Sequence, residues 1–200
     1  MNYNYIAPYY DFLSRLCFLN RQQKAHDPIL KYLKPNERIL WIGGGSGWFL
    51  NEIDQLNIPI EIDYIEFSSV MINKAKTRKL NHLKVNFYEE DIFKFLYNRQ
   101  YDGVISAFIF DHFTEENCAE LFYKIEPQLK KNGMWFYVDF NQNQTAFQRI
   151  LTYAMVKFFA IVAGHKSKDF PKIEYLFSDY NLIDEVFYFG NYITSKIYKK

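Results

Sequence analysis

Two hundred residues, 49% hydrophobic and 24% charged, suit one ordinary core, which excludes both a disordered segment and a pair of full catalytic domains. Lys and Arg number 24 against 23 Asp and Glu, so a net charge of +1 supplies no broad field for nucleic acid or anionic lipid. Two cysteines, Cys17 and Cys118, fit neither a zinc pattern nor a secreted disulfide scaffold, and the first residues lack the basic start and apolar run of a signal peptide; a cytoplasmic location follows.

Tyr9, Phe12, Leu13, Leu16 and Cys17 recur at helical spacing and open an N-terminal helical cap over residues 1–30. Residues 38–42 are a short apolar strand ending in glycines, and Phe49, Leu50, Ile53 and Leu56 mark the helix that follows. Residues 60–66 are the next strand, after which Ser68 and Ser69 cap a helix carrying Met71, Ile72 and Ala75. Residues 83–88 and 101–107 read as the third and fourth strands. Thr114, Glu115 and Glu116 then start a helix that buries Cys118, Leu121, Phe122 and Ile125 and stops at Pro127. Asn132-Gly133 is a turn and residues 134–139 the fifth strand.

Residues 141–180 form an insertion in which Phe147, Ile150, Leu151, Met155, Phe158 and Phe159 require cover, as packing on the sheet, as a lid over an oily pocket, or both. Its apolar run over 150–163 is broken by Lys157 and falls short of the roughly 20 residues a bilayer requires, so stable membrane insertion is not expected. Residues 182–189 and 192–198, joined by Gly190-Asn191, describe a closing hairpin with a two-residue turn. Alternation of strand and helix makes this an α/β chain, a single domain over 1–200 with a mostly parallel sheet between helical layers. Its 17 Tyr, 20 Phe and 3 Trp can line a pocket for a planar or oily ligand; a chain with 18 Lys to 6 Arg, rich in Asn and Ile, also carries such aromatics by compositional bias.

Gly43-Gly44-Gly45-Ser46-Gly47 lies between a buried strand and a helix, where a ligand can touch bare backbone. The dinucleotide fingerprint G-x-G-x-x-G would need glycine where Trp48 stands, so a pyrophosphate cradle is disfavoured and an adenosine with an amino-acid tail fits better, backbone groups meeting its carboxylate and ammonium. Glu66, about twenty residues on, is placed for two ribose hydroxyls, and Asp91 for an adenine amino group with Ile92 against the ring; each acid alone is equally a solvated strand-end residue.

These motifs, Ile39 to Gly47, Ile65-Glu66-Phe67-Ser68, Glu90-Asp91-Ile92, Tyr101 to Ser106 and Leu129 to Gly133, resemble those of class I S-adenosylmethionine-dependent methyltransferases over about residues 38–140. The resemblance implies a Rossmann-like sandwich with seven strands in the order 3-2-1-4-5-7-6, strand 7 antiparallel, with S-adenosyl-L-methionine as methyl donor and S-adenosyl-L-homocysteine as product. Tyr9-Tyr10-Asp11 resembles the Tyr-Asp element of ubiquinone/menaquinone-type methyltransferases, which would bring Tyr10 to the methionine end. The donor-binding set so implied is Tyr10, Gly43, Gly44, Gly45, Ser46, Gly47, Glu66, Phe67, Met71, Asp91, Ile92 and Ser106. Trp41 and Gly44 depart from the pattern, many relatives having an acid at the first that helps hold the ammonium, so that contact has no assigned residue.

Methyl transfer from a sulfonium needs alignment and exclusion of water rather than a metal. Beyond the fourth and fifth strands, Asp111 is the favoured base or substrate orienter and Asp139 the second catalytic candidate, though Asp139 equally serves as a cap to the loop. Phe108, Phe110, His112, Phe140, Tyr153 and His165 are candidates to touch the acceptor, His112 reading more simply as a cap or surface residue. The acceptor expected is a small aromatic, quinone-like or lipid-like molecule, and oligomeric state is not legible. An aminopropyl transferase shares the glycine loop but needs a dense acidic motif where Ser106-Ala107-Phe108-Ile109-Phe110 is apolar. Base methylation lacks its Pro-Pro element here, and Lys74, Lys76, Arg78 and Lys79 read as a solvated face. A cofactor-binding protein without turnover is the non-enzymatic alternative.

Overall fold

The computed structural model describes residues 21–141, 145, 148, 152 and 170–200. Seven strands form one sheet: β1 (Arg38–Ile42), β2 (Ile60–Glu66), β3 (Leu83–Glu89), β4 (Tyr101–Ala107), β5 (Leu129–Phe140), β6 (Asn181–Tyr188) and β7 (Ile193–Lys199). Their order is β3-β2-β1-β4-β5-β7-β6. The five strands from β3 to β5 pair in parallel, and β7 runs antiparallel to both β5 and β6. The implied topology is the one observed.

The central strands are almost continuously apolar because both faces of a parallel sheet are covered. Alternation along β1 divides the core: Ile39 and Trp41 pack on one face with Phe49, Leu50 and Ile53, and Leu40 and Ile42 on the other with Cys118, Leu121 and Phe122. The first group of partners comes from helix α3 (Trp48–Asp54) and the second from α5 (Glu115–Ile125). Two single turns, α1 (Arg21–Lys24) and α2 (Asp27–Leu30), precede β1 and bury Ile29 on the α3 face. Helix α4 (Ser69–Lys76) is capped by Ser68, whose hydroxyl accepts from the Met71 N–H at 3.4 Å, and α5 by Thr114, which accepts from Asn117 at the same distance. Pro127 has no N–H to continue α5, which tightens into a 3₁₀ turn over Glu126–Gln128.

Two sequence expectations change. The Asn132-Gly133 turn lies inside β5, which begins at Leu129; Asn132 has φ +65° and the register against β4 jumps from Tyr101↔Leu129 to Gly103↔Met134. Lys200 brackets the kink, its carbonyl accepting from Asn132 and its N–H donating to Gly133. The closing hairpin turns through four residues, 189–192, not two, because Tyr192 is drawn fully into the core against Phe140 and its hydroxyl pairs with Thr152 at 2.7 Å. Among the described residues no helix is long and apolar enough to cross a membrane. The expected helix around Tyr9 and most of the 145–163 segment lie outside the described residues.

Candidate functional site

Between β1 and β4 the order of strands reverses, and ligands of open parallel sheets bind in the crevice at such a switch point. A cavity of about 300 Å³ lies there, within the range of small-molecule sites. Its floor is the loop after β1, where Gly43 to Ser46 all line the space. Gly44 has no room for a side chain: a Cβ would fall 2.1 Å from the Tyr64 ring, whose hydroxyl donates to the Gly45 carbonyl at 2.9 Å. Gly45 is the opposite case, with φ +64° and a Cβ direction that opens into empty space.

The loop amides have other partners than a ligand. Gly43 and Gly44 N–H both donate to the Ile65 carbonyl, Gly45 N–H to Glu66 Oε2 at 2.9 Å, and Gly47 N–H to the Gly44 carbonyl. The expected row of backbone donors for a carboxylate therefore reduces to close approach over Gly45. Gly47 lies off the cavity, where a Cβ would meet Ala75 at 2.7 Å. Arg78, expected on a solvated face, instead turns inward and donates from Nε and Nη2 to the Ser46 carbonyl at 3.3 and 3.1 Å.

Glu66 ends β2 with both oxygens clamped, Oε1 by the Ser68 N–H at 2.7 Å and Oε2 by Gly45. Burial raises its pKa and the backbone N–H groups oppose that. A carboxylate oxygen can accept more than one hydrogen bond, so the clamped Glu66 can still receive a further donor. Asp91 lines the cavity too, its Oδ1 held by the Phe93 N–H at 2.9 Å. Ile92 and Met71 add apolar wall, and Phe67, 58% exposed, stands at the mouth. Ser106 is elsewhere: fully buried, it accepts from the Trp135 indole at 2.8 Å and fastens β4 to β5. Tyr10 lies outside the described residues.

Beyond β4, Phe108 has φ +51°, a left-handed conformation costing a non-glycine residue about 1–2 kcal/mol. Its N–H donates to Val138 at 2.7 Å, and its ring lines the cavity near His26 and Phe140. Phe140 sits behind it, stacked on Phe170 at 5.1 Å, and Phe110 is fully buried on the other face of the sheet near Trp135. Of the described acceptor candidates, Phe108 and His112 reach the cavity; Tyr153 and His165 lie outside the described residues.

The two acids come together behind the wall rather than on it. Asp139, 1% exposed, accepts from the Phe140 N–H at 2.8 Å and the Asp111 N–H at 3.3 Å. Burial, then the charge of Asp111, raises its pKa well above the carboxylate range. Burial likewise pushes Asp111 up to about 7, and its Oδ1 has no hydrogen-bond partner among the described residues. His112 Nε2 stands 3.8 Å from that Oδ1, and burial lowers the histidine to about 4, so its imidazole is neutral near pH 7. The histidine read as a cap is thus the cavity group, and the favoured aspartate stands behind it. His26, to which the sequence reading gave no role, lines the cavity as well; a lone histidine before Asp27-Pro28 at a helix start carries little signal of its own.

Residues 39–133 match the family model described as methyltransferase domain. The chain is 30% identical over 141 residues to malonyl-[acyl-carrier protein] O-methyltransferase of Bacillus anthracis, covering 68% of this chain and 48% of that protein. It is 28% identical over 108 residues to carboxy-S-adenosyl-L-methionine synthase of Campylobacter fetus subsp. fetus (strain 82-40), covering 54% and 46%. The chain thus spans about half the length of the curated relatives it matches. Magnesium protoporphyrin IX methyltransferase from Synechocystis PCC 6803, solved with bound SAH, superposes with a TM-score of 0.65 at 13% identity over 91% of this chain and 84% of that one, a likeness of fold.

Proposed function

We propose that the chain, whose residues 39–133 match a methyltransferase-domain model, transfers a methyl group from S-adenosylmethionine to a small aromatic, quinone-like or lipid-like acceptor in the cytoplasm. The observation that carries this reading is the pairing of bare backbone at Gly45 with the clamped Glu66 carboxylate on one cavity wall. A hydroxylated ring fits against Glu66, and a flat heterocycle fits along Met71 and Ile92 with Asp91 as acceptor for an amino group. When bound, the donor supplies a methyl already activated on sulfur, so the chain's own work is to hold, align and keep water out.

Glu66 accepts from the ribose hydroxyls with oxygens fixed by Gly45 and Ser68 N–H groups, which removes the cost of ordering the carboxylate on binding. Phe108 and Phe113 give the acceptor an aromatic wall, and the strained Phe108 backbone fixes one ring in place. An acceptor with an O–H or N–H must lose a proton; neutral His112 lines the cavity to receive it, with Asp111 Oδ1 3.8 Å behind its Nε2. Asp139 holds Asp111 through its backbone N–H, a positioning role.

The test is calorimetric titration of the purified chain with S-adenosylhomocysteine, together with mass spectrometry of the supernatant released by heat. Micromolar binding or co-purified adenosylmethionine supports the reading, and labelled-methyl transfer into a metabolite extract then identifies the acceptor. Absence of heat with the nucleoside would sink it, and binding without transfer would make this a cofactor-binding protein.

A further inference from the structure

The cavity has a direction set by the sheet. Glu66 and Asp91 follow β2 and β3, on one side of β1, whereas Phe108 and His112 follow β4 on the other. The His26 ring lies 5.0 Å from Trp48, 5.0 Å from Phe49 and 5.8 Å from Phe108 by ring centroids, at the Phe108 end of the cavity that Gly45 and Glu66 also line. A linear ligand with its ribose at Glu66 and its base at Asp91 extends its amino-acid tail toward this end. That tail carries an ammonium, and an ammonium entering a mostly apolar cavity needs a hydrogen-bond acceptor. The loop amides are donors and are engaged with Ile65, Glu66 and Gly44.

His26 has the required chemistry. Its Nδ1 is 3.0 Å from the Gln22 carbonyl, which can only accept, so the proton sits on Nδ1 and Nε2 carries a lone pair. Three aromatic neighbours fix the ring plane. Burial, against backbone hydrogen bonds that favour the cation, holds the imidazole at about 4, so it does not become a charge that would repel an ammonium and a sulfonium together.

Resting on the methyl-donor reading above, we infer that His26 receives the ammonium of the donor's amino-acid tail on Nε2 and so selects for a donor that has one. Two ligands isolate the contact: S-adenosylhomocysteine and 5′-methylthioadenosine, which keeps the adenosine and thioether but lacks the amino-acid end. His26→Phe preserves a flat ring among Trp48, Phe49 and Phe108 and deletes the acceptor. Titrated into the full chain, S-adenosylhomocysteine should bind the variant about tenfold or more weakly, with methylthioadenosine within about twofold of wild type by the same reasoning. Unchanged affinity for both, or equal loss of both, overturns the assignment. Normal homocysteine-ligand binding with lost turnover would move His26 to the acceptor and also overturns it. If the variant does not fold, the ¹⁵N shift of His26 Nε2 in the wild-type chain decides: it should move with S-adenosylhomocysteine and not with methylthioadenosine, and no movement refutes the contact. Wild-type protein that binds neither compound removes the methyl-donor reading itself, a different result from any of these.

Discussion

Asp111→Asn isolates the contribution of the buried Asp111 carboxyl from that of every other acid in the chain. In the folded protein burial raises Asp111 from the ordinary 3.8 to about 7, which corresponds to at most about 4 kcal/mol of preference for the protonated acid. The sign follows from linkage: the unfolded chain ionises near 3.8, so this stabilisation is complete below that pH and is lost as pH rises through about 7. Only part of the change falls between pH 5 and pH 8, about 2–3 kcal/mol. Asparagine keeps the shape and cannot ionise, and it leaves Asp139 still held by the Phe140 N–H. Urea unfolding followed by circular dichroism gives the stability of both proteins at each pH. Relative to wild type, the variant should gain about 2–3 kcal/mol on going from pH 5 to pH 8, whatever its offset at pH 5. A difference flat to within about 0.5 kcal/mol, the ordinary scatter between independent sites, refutes a raised Asp111 pKa in the folded chain.

Gly45→Asp fills the open side of the loop, so S-adenosylhomocysteine affinity should vanish in calorimetry while helix content by circular dichroism stays; retained affinity contradicts the loop as the donor floor. Gly44→Ala drives a methyl into the Tyr64 ring, and thermal unfolding should show a loss on the order of 1–3 kcal/mol, the usual cost of overpacking. Phe108→Gly relieves a left-handed backbone and deletes a ring lining the cavity, so turnover of an identified acceptor should fall while donor affinity holds. Equal loss of both would place Phe108 with the donor instead.

The strands were legible where an apolar run is bounded by turn residues and covered on both faces: residues 60–66 and 101–107 have the ends expected of them. Caps were legible because Ser68 and Thr114 act through bonds to residues three positions on. Which residue after β4 faces the cavity was not. Alternation continued from the strand groups Phe108 with Phe110, but the positive φ at Phe108 resets the phase, sending Phe110 into the opposite core and bringing His112 to the wall. Arg78 was hidden for a related reason: α4 stops at Lys76, so a residue two positions later no longer follows the helix face and folds back onto Ser46. The extra width of the closing turn depends on Tyr192 finding Phe140 and Thr152, contacts about 40 or more residues away in sequence that no local pattern contains.

Seated between β5 and β6, strand β7 comes after both of its neighbours in the chain. Without it β5 keeps one edge unpaired and β6 loses its strand partner, a row of backbone donors and acceptors open to another strand. A peptide copying 193–199, supplied in excess during refolding, would compete with β7 for that slot.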